Sequence, residues 1–151
     1  MAEGWRGIRF TIRSDMAYLE PIRTIVRECT GLLGFEESEG DEVVLAVQEA
    51  CTNVIRHCYK ECPKERIDFR ITFGDQELEI QIIDYGAFVD PTRIKSRDLD
   101  DVRPGGLGVH LMRKVMDEVI YERNESGGTT LTLRRRVMRP AADAGGRERL
   151  G

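Results

Sequence analysis

The stretch that most constrains this chain is residues 43–59, in which apolar residues recur at helical spacing. The apolar stripe consists of Val43, Val47, Ala50, Cys51, Val54, Ile55 and Cys58, which is typical of a helix with one face in a core. Beside the stripe lie Glu49, Asn53 and His57, each four residues from the last. Because residues i and i+4 share a helix face about 6 Å apart, a carboxylate, an amide and an imidazole line one edge. The pattern predicts a helix that borders both the core and a functional site.

Length and charge narrow the class of protein. The 151 residues fit one domain that can bury a substantial core. A formal net charge of −4 argues against a nucleic-acid partner held by charge. No apolar run approaches the roughly 20 residues of a membrane span. We therefore expect a protein that contacts neither nucleic acid nor membrane.

The cysteines favour a reducing cytoplasm, because four in 151 residues are too few for a disulfide scaffold. Cys58 and Cys62, with His57 adjacent, could be zinc ligands, but no second ligand pair follows. We therefore expect the thiols to be ordinary buried groups.

The rest of the chain divides into alternating strands and further helical stripes. The first half of the pattern predicts a strand at 8–12, a helix from Ser14 to Gly34, and the helix just described, which begins with a Ser38–Asp41 capping box. A hairpin of two strands, 67–73 and 78–82, follows around the turn Gly74–Gln76, and an irregular loop covers 87–103. The second half predicts a helix opened by Gly105 and two strands, 119–121 and 130–133, around the turn 124–128. The prediction is one domain over 1–138 and a flexible tail at 139–151.

This order indicates the fold class. Hairpins dominate, so the sheet is expected to be mixed or mostly antiparallel with its helices on one face. The predicted class is α+β, a two-layer sandwich.

Two further segments suit a nucleotide together with Asn53. Glycines at a helix start let backbone N–H groups approach an anion where the helix dipole favours negative charge, and Gly105, Gly106 and Gly108 provide them. Asp84, at the end of a strand, could accept a hydrogen bond from an exocyclic amine, and Gly86 would let a flat ring come close. The amide oxygen of Asn53 suits Mg²⁺, which typically takes one or two protein ligands besides phosphates and water.

These segments together resemble the anti-sigma-factor serine kinases of bacterial partner-switching systems. That family is a branch of the ATPase superfamily of histidine kinases, gyrase B, Hsp90 and MutL. The matching motifs are Glu49–Asn53 with His57, Ile83–Gly86, Gly106–Gly108, Met116–Val119 and Gly128–Thr130. The similarity runs from about residue 8 to residue 136, and it implies the Bergerat-type ATPase fold.

The resemblance also implies roles for individual residues. Glu49 would be the general base that takes the proton from a substrate serine, and Asn53 would hold Mg²⁺ against the phosphates of ATP. Asp84 would read the adenine amino group. The implied nucleotide-binding set is Asn53, Asp84, Gly86, Arg103, Gly105, Gly106, Leu107, Gly108 and Thr130.

One residue departs from the family pattern. The family often has a further glycine two residues after Gly86, and this chain has Phe88 there. A bulky side chain could narrow the lid hinge or pack on the nucleotide, which puts ATP affinity and turnover in question more than the fold.

The function implied is that of an ATP- and Mg²⁺-dependent protein serine kinase and anti-sigma factor. It would phosphorylate an anti-anti-sigma (STAS-domain) protein and sequester a sigma factor, and relatives form homodimers. The alternatives are a non-catalytic ATP-binding module and a stressosome-type switch kinase that acts on a scaffold STAS protein. A detached histidine-kinase catalytic domain fits less well, because no phospho-acceptor helix pair precedes it.

Overall fold

The computed structural model describes residues 6–58, 65–88 and 104–138. Their elements are β1 (Gly7–Arg13), a 3₁₀ turn (Met16–Tyr18), α1 (Leu19–Leu33), α2 (Glu37–Asn53), a π-helical turn (Val54–Cys58), β2 (Arg66–Phe73), β3 (Glu77–Ile83), α3 (Pro104–Val115), β4 (Glu118–Arg123) and β5 (Thr129–Arg136). The predicted order of strands and helices is confirmed. The predicted tail at 139–151 lies outside the described residues.

The five strands form one sheet in the order β1-β2-β3-β5-β4, and every pair is antiparallel. Strands β2 and β3 form the predicted hairpin, whose turn is closed by a 2.8 Å hydrogen bond from Gly74 N to Glu77 O. Strand β5 then inserts beside β3 and pairs with β4 on its other side. The described sheet is thus antiparallel throughout.

Side-chain alternation gives the sheet two different faces. Rows of apolar residues run across one face, for example Phe10 opposite Phe69 and Phe69 opposite Ile82. This face packs with α1, α2 and α3 in a single core. The other face, which we call the open face, carries mostly polar and charged residues. Its members include Arg9, Thr11, Arg66, Asp68, Arg70, Glu79, Gln81, Thr130, Thr132 and Arg134.

The three helices cover the apolar face of the sheet, and α2 contacts both α1 and α3. Gly40 is one point of close approach, since a Cβ there would lie 2.8 Å from Thr30 Oγ1. The residues of α2 that face the core are fully or almost fully buried: Val43, Val44, Ala46, Val47, Ala50 and Cys51. The predicted two-layer α+β fold is confirmed. None of the described helices is long and apolar enough to cross a membrane.

The helix starts differ in detail from the sequence prediction. Asp15 caps the 3₁₀ turn by accepting a hydrogen bond from Ala17 N at 2.9 Å, and Pro21 lies in the first turn of α1, where proline is tolerated. At the start of α2 the capping pair is Glu36 and Glu39 rather than Ser38 and Asp41. The predicted box was wrong because the helix begins earlier, at Glu37.

Candidate active site

The C-terminal end of α2 carries the two polar residues on which the site depends. Glu49 and Asn53 are one helical turn apart and are both half-buried. Asn53 is the last α-helical residue, and the chain continues as a π-helical turn from Val54. Single π turns inside helices occur frequently at functional sites.

The side-chain amide of Asn53 is unusual in its hydrogen bonding. Its Oδ1 is buried, and the described residues offer it no hydrogen-bond partner. A buried acceptor without a hydrogen-bond partner lowers the stability of the fold unless a ligand donates a hydrogen bond to it or is coordinated by it. A hard cation such as Mg²⁺ prefers an oxygen ligand of this kind. The residue therefore fits the metal-binding role that the sequence predicted.

The carboxylate of Glu49 has a perturbed acidity. Partial burial raises its pKa, and the charge of Arg56 offsets part of that rise. A raised pKa makes a carboxylate a better proton acceptor near neutral pH. Glu49 is therefore suited chemically to be a general base.

Asp84 follows directly on β3 and is 2% exposed. Its Oδ1 accepts hydrogen bonds from the backbone N–H groups of Gly86 and Thr129, each at 3.2 Å. Burial raises the pKa of Asp84, and the two backbone hydrogen bonds counteract part of that rise. Among the described residues no donor bonds to Oδ2, so this oxygen can accept a hydrogen bond from a ligand.

The turn between β4 and β5 fixes the backbone of Asp84. Asn124 Nδ2 donates to Asp84 O at 2.8 Å, and Asp84 N donates to Thr129 O at 2.9 Å. A Cβ on Gly128 would lie 2.2 Å from Asp84 O, so only glycine allows this approach. Phe88 is held to the same turn, because its N–H donates to Gly127 O at 3.0 Å.

The two threonines at the start of β5 lie on opposite faces of the sheet. Thr130 pairs with Ile83 on the open face, because side chains alternate along a strand. Thr129 lies on the helix-covered face beside Asp84, and its Oγ1 is buried without a hydrogen-bond partner among the described residues. Thr129, and not Thr130, therefore has its side chain on the same face as the helix layer. The sequence carries a signal for this placement, because every second residue of a strand shares a face and Thr129 is in step with Leu131 and Leu133, two core residues of β5.

The glycine-rich segment forms the first turns of α3. With the helix beginning at Pro104, the N–H groups of Gly105 and Gly106 have no carbonyl partner within the helix. Proline is favoured at such a first position because it has no N–H to satisfy. Leu107 and Gly108 continue the helix. This start has the backbone donors and dipole orientation that suit a phosphate group.

Two of the site residues meet at one end of the central strands β3 and β5. Asp84 follows β3, and Thr129 begins β5 beside it. The turn at Val54–Cys58 lies close in sequence to β2, whose Asp68 pairs with Ile83. Because α2 also packs on α3, the helix that carries Glu49 and Asn53 and the glycine-rich helix are neighbours in the same helix layer.

Some predicted site residues fall outside the described parts of the chain. These are Arg103, Cys62 and the side chains of His57, Cys58 and Leu107. Within the described parts, no group of three or more metal-ligating side chains forms a metal cluster.

Comparisons with known proteins agree with this geometry. Residues 12–135 match the family described as the histidine kinase-like ATPase domain. Serine-protein kinase RsbW of Bacillus subtilis is 31% identical over 131 residues, covering 81% of this chain and 81% of that protein. Serine-protein kinase RsbW of Halalkalibacterium halodurans is 27% identical over 144 residues, covering 90% and 86% of the two chains.

Two solved structures are similar in fold. One contains the RsbU and RsbW domains of a Mycobacterium tuberculosis protein, with a TM-score of 0.65 and 22% identity, covering 89% of this chain and 33% of that chain. The other is the SiaB–SiaC complex of Pseudomonas aeruginosa, with a TM-score of 0.62 and 17% identity, covering 87% and 89%. At these identities the similarity concerns the fold alone.

Proposed function

The chain belongs to the histidine kinase-like ATPase domain family, and we propose that it is an ATP-dependent protein serine kinase that also acts as an anti-sigma factor. Its substrate is the serine of an anti-anti-sigma (STAS-domain) protein, and its second partner is a sigma factor in the cytoplasm. The 31% identity to a serine-protein kinase over most of both chains supports the activity.

The observation that carries the proposal is the buried, unpartnered Oδ1 of Asn53 one turn after Glu49. Asn53 would hold Mg²⁺, which neutralises negative charge on the phosphates when it is bound. Glu49, with its raised pKa, would accept the proton of the serine hydroxyl. The same helix thus presents a metal ligand and a base on one edge.

The other site residues bind and orient the nucleotide. Oδ2 of Asp84 accepts a hydrogen bond from the adenine amino group, while Oδ1 stays fixed by backbone N–H groups. The N–H groups of Gly105 and Gly106 donate to phosphate oxygens at the start of α3. We extend this nucleotide-binding set to Gly86, Leu107, Gly108 and Arg103, as the resemblance implies, and replace Thr130 by Thr129. Phosphoryl transfer requires mostly positioning and charge stabilisation, which these groups supply.

The activity is tested by incubating the purified protein with MgATP and a candidate STAS-domain protein. We expect serine phosphorylation, and we expect Glu49→Gln to reduce its rate by about 100-fold or more while ATP affinity by calorimetry stays within about threefold. The matched control is Glu37→Gln, an exposed glutamate in the first turn of the same helix, which should change neither quantity.

Two outcomes would contradict the proposal. If Glu49→Gln transfers phosphate as fast as the wild type, Glu49 is not the base. If the wild type binds ATP but phosphorylates no STAS protein, the non-catalytic nucleotide-binding alternative applies. Co-purification of a sigma factor separates the anti-sigma function from the stressosome-type alternative, which binds no sigma factor.

A further inference from the structure

Tyr85 lies between Asp84 and Gly86, and contacts to β2 hold its side chain on the open face of the sheet. Its hydroxyl donates a hydrogen bond to Asp68 Oδ2. The guanidinium carbon of Arg66 lies 4.4 Å from the centroid of its ring, a distance at which a cation and an aromatic face attract. Neither contact belongs to the nucleotide site itself.

Asp68 is a well-fixed acceptor for this hydroxyl. Thr11 Oγ1 donates to Asp68 Oδ1 at 2.6 Å, and Arg66 Nε lies 3.8 Å from Oδ2. Burial alone would raise the pKa of Asp68, but the hydrogen bonds from Thr11 and Tyr85 and the charge of Arg66 outweigh it and lower the pKa. The ionised carboxylate therefore ties Tyr85 to both β1 and β2.

We propose that Tyr85 is a positioning residue for base recognition and that it acts through Asp84. The carboxylate direction of Asp84 depends on the backbone from 84 to 86, because Gly86 N–H donates to Oδ1. Peptide groups are planar, so a side chain fixed at 85 restricts the backbone rotation on both sides of it.

The segment is therefore held from two directions. Asn124 and Thr129 hold the backbone of Asp84 by hydrogen bonds, and the side chain of Tyr85 is held on the open face by Asp68. Such pre-organisation favours binding because less motion is lost when the ligand arrives. The inference rests on the proposed function, in which Asp84 reads the adenine amino group.

Recognition of one amino group makes the inference testable. Inosine triphosphate has an oxo group where ATP has the 6-amino group, so this position has no N–H group that could donate a hydrogen bond to Asp84 Oδ2. A residue that only aims Asp84 should affect ATP binding and leave inosine triphosphate binding unchanged. A residue that merely stabilises the fold should weaken both nucleotides equally.

The experiment measures ATP and inosine triphosphate affinity by calorimetry for the wild type and for Tyr85→Phe. We expect ATP affinity to fall about fivefold, the usual effect of one lost hydrogen bond, and inosine triphosphate affinity to stay constant. Asp68→Asn removes the charged acceptor and should act in the same direction. Tyr18→Phe is the matched control, since Tyr18 lies in the 3₁₀ turn before α1 and should change neither affinity.

A double-mutant cycle with Asp84→Asn tests the route of the effect. If Tyr85 acts through Asp84, Tyr85→Phe should weaken ATP binding no further in the Asp84→Asn background. Additive losses, or equal losses for the two nucleotides, would overturn the inference while leaving the proposed function intact. A wild type that binds neither nucleotide would refute the proposed function, and the inference with it.

Discussion

At the scale of single residues, Asp84 is both necessary for the proposed function and unfavourable for the fold. The residue is 2% exposed, and the hydrogen bonds that its carboxylate accepts from Gly86 and Thr129 come from backbone N–H groups rather than from a cation. Burial accordingly raises its pKa. Proteins keep an unfavourable buried group of this kind mainly at functional sites, where the rest of the fold supplies the stability.

The replacement Asp84→Asn should separate binding from stability. The amide oxygen can still accept from Gly86 and Thr129, but the new side chain offers a ligand an N–H₂ donor or a neutral acceptor instead of a carboxylate. We expect ATP affinity to fall about tenfold to hundredfold, the range for a lost hydrogen bond to a charged group. At pH 7 we expect the free energy of unfolding without nucleotide to equal or exceed that of the wild type.

The pH dependence follows from the direction of the pKa shift. The pKa of Asp84 is raised in the folded state, so the protonated carboxyl favours the folded state. This contribution to the free energy of unfolding is present below the unfolded pKa and is lost as the pH rises through the folded pKa. The amount by which the free energy of unfolding of Asp84→Asn exceeds that of the wild type should therefore shrink as the pH is lowered towards about 4, the ordinary pKa of an aspartate. Urea unfolding at several pH values measures this, with Asp75→Asn in the exposed β2–β3 turn as control. An advantage that grows on acidification would contradict the account.

At the scale of elements, Arg135 links three of them. It lies on the helix-covered face of β5 and is only 14% exposed. Its Nη1 donates to Glu42 Oε2 of α2 and to Val115 O at the end of α3, each at 2.9 Å. Because α3 begins with the glycine-rich segment, a contact that fixes its far end also fixes the helix that presents those glycines.

We expect Arg135→Ala to lower the free energy of unfolding by about 1–2 kcal/mol, through the loss of a half-buried ion pair and of a donor to a helix carbonyl. The matched control is Arg136→Ala, whose exposed side chain lies 3.8 Å from Glu77 and should cost less than about 0.5 kcal/mol. Urea unfolding of both variants gives the comparison. Equal effects would mean that Arg135 does not anchor α3.

The elements themselves could be predicted from the sequence, because hydrophobic periodicity is a local signal. The details that local patterns leave open depend on contacts between distant residues. Thr129 lies on the helix-covered face and Thr130 on the open face, because a step of one residue moves a side chain to the other face of a strand. The need for glycine at 128 arises from its packing against Asp84, a contact that is not visible in a run of neighbouring residues. The sequence analysis also did not predict the π turn after Asn53.

At the scale of the whole molecule, the proposed nucleotide site draws on elements from both halves of the chain. Glu49 and Asn53 come from α2, Asp84 follows β3, and the glycines begin α3. A ligand that joins such elements binds the folded state and not the unfolded one, so it should raise the thermal midpoint of the entire domain.

MgATP at about 100 times its dissociation constant should stabilise the fold by about 2.7 kcal/mol, which for a domain of this size raises the midpoint by about 5–10 °C. In Asn53→Ala the part of the shift that requires Mg²⁺ should disappear, because the variant lacks the buried Oδ1 that otherwise has no described partner. Gln76→Ala, an exposed amide in the β2–β3 turn, should retain the full shift. Thermal scans of each variant with ATP in Mg²⁺ or in EDTA supply the comparisons. If the Mg²⁺-dependent shift of the thermal midpoint survives in Asn53→Ala, other residues hold the metal. The buried Oδ1 of Asn53 would then not be the metal ligand that we propose.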